Sequence, residues 1–135
     1  MEALEPEADD ARRKAEAARA ARGLVIVVVH VVLFRPKADL SEQNRQEMFD
    51  ALRSAATGIP SVRRFLVCTR VTHGAAYERL ATEDFPFAAI VEFDDLAGLQ
   101  AYLRHPQHEK LGALFYRFQE MAMAYDYEVG EVRST

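Results

Sequence analysis

The residues from Tyr102 to Gly112, YLRHPQHEKLG, gather a tyrosine and two histidines around a proline. His105 and His108 are two of only four histidines in the chain. An imidazole titrates near neutrality and exchanges protons under physiological conditions, while a phenol, with a pKa of about 10, stays protonated and donates a hydrogen bond. These residue types allow an acid/base pair, a metal site, or a set of polar residues at a helix junction. In an uninterrupted helix, six residues of about 100° each leave Tyr102 and His108 about 120° apart, unable to share a target. A break at Pro106 lets them converge. His108, Leu111 and Phe115 recur at helical spacing, which turns the imidazole toward the apolar side, and Gly112 leaves space beside it.

Each candidate also has a structural reading. His105 can cap the helix that follows Pro106, Tyr102 can be a core aromatic with its hydroxyl on the backbone, and His108 can be a satisfied buried histidine linking helix to sheet. His30, the only polar side chain in the run VIVVVHVVLF, is a further candidate, or a partner for Asp126 across two neighbouring strands. A metal site has little support. His105 and His108 can reach one ion, but Glu109 points elsewhere on a helix and no cysteine or carboxylate completes a tetrahedral set. No metal or other cofactor is expected.

The elements that must position these residues can be read along the chain. Val25 to Phe34 is β-branched almost throughout and stops at Arg35-Pro36, as a buried strand does. Ser41 is the expected N-cap of a first helix that carries Met48, Phe49, Leu52 and Ala56 inward and stops at Gly58 and Pro60. Ser61 to Val71 and Phe85 to Phe93 read as the second and third strands, and the connection from Thr72 to Asp84 is long enough to act as a lid through Tyr77 or Phe85. Asp94 or Asp95 caps a helix with Leu96, Leu99 and Leu103 inward. Pro106 opens a second piece carrying Leu111, Leu114, Phe115 and Phe118, and Met121 to Val129 is the fourth strand. The order β-α-β-β-α-β predicts an α+β, ferredoxin-like fold: a four-stranded antiparallel sheet with helices on one face.

Helices on one face leave the other uncovered, and the first strand is apolar on both. Val25, Val27, Val29, Val31 and Leu33 alternate with Ile26, Val28, Val32 and Phe34. At ~1.5–3 kcal/mol per buried side chain, exposing one such row forfeits an amount comparable to the ~5–15 kcal/mol net stability of a domain. A second copy, sheet against sheet, is the economical cover, so the chain is expected to be a homodimer.

Composition sets the remaining limits. The chain has 135 residues, half of them hydrophobic, enough for one domain with its own core. Its net charge of −4 offers no basic surface to phosphate backbones or anionic lipid, so neither nucleic acid nor membrane is an expected partner. The lone Cys68 sits in an apolar strand and suits a reducing cytoplasm. Residues 1–23 are charged and alanine-rich without an apolar stripe and read as a flexible tail, with the domain over 24–130 and a short tail over 131–135. The basic and apolar segments around Gly23 are not expected to act as a secretion signal, because His30 interrupts the run and Arg35-Pro36-Lys37 follows it.

The stretches HVVLFRPKADLSEQ, GIPSVRRF, VEFDDLAGLQAYLRHPQHEKLG and YDYEV together resemble the stress-responsive A/B barrel family over about Val29 to Val129. The most specific piece is Y-x-x-H-P-x-H. The resemblance implies a dimeric α/β barrel of ferredoxin-like subunits. Its wider superfamily includes cofactor-free monooxygenases, polyketide-type cyclases, haem-degrading enzymes and proteins with no known reaction, and a shared fold does not choose among them. For the ring-closing and phenol-oxidising enzymes, the resemblance implies an inward histidine as base and a tyrosine as hydrogen-bond donor. Carried over, His108 and Tyr102 are the catalytic pair, with His30, His105 and Phe115 as substrate-binding residues and an aromatic or polyketide-like compound as ligand.

Two functions compete on this basis. One is a small-molecule protein, cyclase-like or monooxygenase-like, working by proton transfer. The other is a non-catalytic stress-associated protein whose dimer or higher assembly is its function, which requires apolar packing to fill the space among Tyr102, His108 and His30. An RNA-recognition module shares the strand order, but FPFAAIVEF lacks the basic residue and glycine of that motif.

Overall fold

The computed structural model describes residues 27–130 together with Asp10, Arg13 and Lys14. The expected tails, and the start of the first strand at Val25 and Ile26, lie outside the described residues except for those three helical positions. Four strands form one antiparallel sheet: β1 (Val27–Pro36), β2 (Arg64–Thr69), β3 (Phe87–Phe93) and β4 (Gln119–Val129), in the order β2-β3-β1-β4. The chain crosses from β1 to β2 through α1 (Glu42–Gly58), and from β3 to β4 through α3 (Leu96–Arg104) and α4 (Pro106–Phe118). A five-residue helix, α2 (Ala76–Leu80), lies in the connection between β2 and β3.

α1 and α3 begin where the sequence supplies oxygen acceptors for their first N–H groups. Ser41 Oγ accepts from the Asn44 N–H at 3.0 Å, and Asp95 Oδ1 accepts from the Gly98 N–H at 2.8 Å. The inward stripe of α1 is Met48, Ala51, Leu52 and Ala55. Phe49, expected inside, is 42% exposed because it lies about 100° around the helix from Met48. The same geometry turns Leu96 outward, leaves Leu103 38% exposed at the edge of the stripe, and makes Leu99 and Tyr102 the buried stripe of α3. β2 is shorter than Ser61–Val71, with single bonds from Arg63 N–H to the Glu92 carbonyl and from Arg70 N–H to the Pro86 carbonyl, each 2.9 Å, marking its ends.

Alternation along β1 divides the sheet into two unlike faces. Val28, His30 and Phe34 point to the helices and join a core with Val91, Phe93, Leu52, Tyr102, Leu114 and Phe118. On the other face, Val31 lies between Ile90 and Tyr125 in the ladder, and Leu33 lies between Ala88 and Met123. Tyr125, Tyr127 and Val129 are 45–54% exposed there, and Cys68, expected to be buried, is only half-buried on the same side. No described helix packs on this face, since the buried residues of α1, α3 and α4 all join the core on the other. Among the described residues, no helix is long and apolar enough to cross a membrane.

Candidate functional site

α3 ends and α4 begins at His105. Its backbone is extended (φ −71°, ψ 139°), as suits a residue before proline, and Pro106 takes the first turn of α4, where its missing N–H breaks no helical bond. The His105 N–H donates to the Tyr102 carbonyl at 3.1 Å, while His105 Nδ1 accepts from the Gln107 N–H at 3.1 Å. The junction replaces the separation of a continuous helix with convergence: the Tyr102 and His108 rings lie with centroids 4.7 Å apart. His30 completes the group from the central strand, 5.8 Å from Tyr102 and 6.5 Å from His108 by ring centroid.

Asp126 is the residue paired with His30 across the β1–β4 ladder, and its Oδ1 lies 2.6 Å from His30 Nδ1. An ionised carboxylate only accepts, so Nδ1 carries the hydrogen and Nε2 is the nitrogen left for other contacts. Burial pushes the Tyr102 hydroxyl up to about 12, which keeps the phenol protonated. The His108 imidazole is held below its ordinary value, first by burial and then by the charge of His30, against opposing effects from the Leu103 backbone and Glu109. The pair Tyr102 and His108 thus presents a hydrogen-bond donor beside a neutral proton acceptor.

The three rings form one corner of a cavity of about 310 Å³ between sheet and helices. Its other walls are apolar: Val32, Ala89 and Val91 from the sheet, Leu52 from α1, and Leu111 and Phe115 from α4. Of the residues singled out in the sequence, Tyr102, His108, His30 and Phe115 line this cavity together. His105 does not; it serves the junction as the N-cap of α4. Leu52 and Phe65 are walls that the motif did not reveal. Their signal is periodicity: Leu52 belongs to the inward stripe of α1, and Phe65 pairs with Val91 on the face that carries His30.

The β2–β3 connection is not part of this cavity. Tyr77 is 65% exposed with its hydroxyl 2.8 Å from His73 Nε2, and Phe85 borders a separate hollow with Leu33, Cys68 and Arg70. Three arginines meet the chain's own carboxylates in this part of the structure: Arg63 with Asp94 at 2.7 Å, Arg70 with Asp84, and Arg35 with Glu120 at 2.9 Å and Glu83 at 3.1 Å. Among the described residues, no three His, Cys, Asp or Glu side chains are grouped to hold a metal ion.

Known proteins resemble this chain in sequence and fold. Olivetolic acid cyclase of Cannabis sativa is 22% identical over 102 residues, which cover 76% of this chain and 96% of that protein. Among solved structures, the hydroxynitrile lyase from Passiflora edulis superposes with a TM-score of 0.68 at 16% identity, covering 82% of this chain and 99% of its own. A dimeric ferredoxin-like protein of unknown function from Thermobifida fusca YX matches at a TM-score of 0.61 and 20% identity, over 77% of this chain and 92% of that one. The family model for the stress responsive A/B barrel domain matches residues 28–129, and the chain belongs to that family.

Proposed function

We propose that this protein binds a small aromatic or polyketide-like molecule beside Tyr102 and His108 and acts on it by proton transfer, without a cofactor, as a homodimer. The observation that carries this reading is the cavity of about 310 Å³ whose polar corner is made of Tyr102, His108 and His30. Neutral His108 takes a proton from an acidified carbon or a phenol, and the protonated Tyr102 hydroxyl donates a hydrogen bond to the oxygen that gains charge. Asp126 holds the His30 ring beside them. Two similar proteins, one named as a cyclase and the other as a lyase, support an enzymatic role. A purely structural role calls for packed side chains where this cavity lies.

The uncovered sheet face supports the dimer. Val29, Val31, Leu33, Ile90, Met123 and Tyr125 form a contiguous apolar surface, and similar structures are described as dimeric. A thermal-shift screen of phenols and β-keto acids, followed by turnover with the ligands found, tests the function. Activity is expected to fall by ~10²–10⁴-fold in His108→Ala. Unchanged turnover in that variant removes the proposed base.

A further inference from the structure

Gly112 stands at the midpoint of α4, where glycine is the least favourable residue after proline. Nothing local requires it. Its φ is not positive, and a β-carbon built there meets no atom within 4 Å. The position is exposed, and it also lines the cavity of Tyr102 and His108. Helical side chains lean toward the N-terminus and cover the preceding turn, and the residue one turn back is His108. A side chain at 112 that reaches past its β-carbon would therefore extend toward the His108 imidazole.

We infer that Gly112 is a specificity-determining residue: by withholding a side chain it keeps open a portal from solvent to His108, through which the apolar body of the ligand extends. This rests on the cavity being a ligand site. Leu103 and Phe115 line the same cavity, and Leu103 is itself 38% exposed, so the space nearby is apolar. The ligand class that fits is an uncharged phenol or enol carrying an aliphatic arm: its polar head reaches His108 and its arm occupies the portal.

The test compares wild type with Gly112→Leu and Gly112→Ala in two assays. The first follows carbethoxylation of His108 by diethyl pyrocarbonate by mass spectrometry, relative to the exposed His73. The second measures binding of phenol and its 4-ethyl, 4-butyl and 4-hexyl derivatives. Wild type is expected to modify readily at His108 and to bind about three- to fourfold more tightly per added methylene. Gly112→Leu is expected to slow His108 modification severalfold and to flatten the chain-length series. Gly112→Ala, whose β-carbon meets no atom within 4 Å, is expected to melt a few degrees higher with His108 modified near the wild-type rate, and Gly112→Met, made alongside, decides the matter if Gly112→Leu does not fold. Equal modification rates in folded wild type and in Gly112→Leu or Gly112→Met overturn the portal. Absence of phenol binding to wild type, with the rate difference intact, overturns the ligand reading and leaves the portal standing as the route to His108.

Discussion

His30 Nδ1 lies 2.6 Å from Asp126 Oδ1, joining the central strand to the edge strand on the same face as the Tyr102 and His108 rings. The two residues lie opposite each other in the ladder, so the contact follows from strand register. The His30 side chain is nearly buried and that of Asp126 is 45% exposed, so water screens part of the attraction. A double-mutant cycle with His30→Ala and Asp126→Ala, read by urea unfolding, is expected to give a coupling of ~1 kcal/mol. Additive effects would make the contact incidental.

Tyr102 separates packing from chemistry. Its ring is 2% exposed and packs against Phe93 at a centroid distance of 5.2 Å, contacts that Tyr102→Phe retains. The variant is expected to keep stability within ~1 kcal/mol of wild type while weakening binding of a phenol or enol severalfold, as the loss of one hydrogen bond to a ligand does. Undiminished ligand affinity would remove Tyr102 from the donor role.

His108 links stability to pH. Burial holds its native pKa below the ordinary imidazole value of about 6.5, so the unfolded chain binds the proton more readily than the native one. The stability this group contributes is complete above about pH 6.5 and falls as pH drops from there toward the native pKa. His30, Tyr102 and Glu109 share its surroundings and remain in place in His108→Gln. Denaturant melts across that window should therefore show a shallower acid-side loss in His108→Gln than in wild type. Parallel curves would contradict the linkage.

Most of the fold was legible because it rests on patterns that survive without tertiary context. Alternation along VVVHVVLF set the sheet face of His30, proline rules split the helix at Pro106, and Ser41 and Asp95 announced two helix starts. Helix faces were less legible. Phe49, Leu96 and Leu103 look like core residues by type, yet lie one step around from the buried stripe, and only the packed sheet decides which step is inward. The site was readable where one segment held the chemistry, at Tyr102 and His108. Its apolar walls were not, because Leu52, Phe65 and Ala124 come from three other elements whose meeting depends on the whole topology.

The open sheet face carries the assembly prediction. Val31 sits between Ile90 and Tyr125 on that face, away from the core, so a lysine there leaves the helix side untouched. Val31→Lys is expected to remain folded and to shift the protein from dimer to monomer at micromolar concentration by light scattering. A wild type that is already monomeric under those conditions would exclude the sheet-to-sheet dimer.

The proposed function rests on one claim, that small molecules enter the cavity and meet its histidines. Titrating 4-butylphenol into protein labelled at histidine, and following the ring resonances by NMR, examines that claim directly. Saturable shifts of His108 and His30 are expected, with His73, which does not line the cavity, unmoved. Saturable binding that leaves the His108 and His30 rings unperturbed would contradict it.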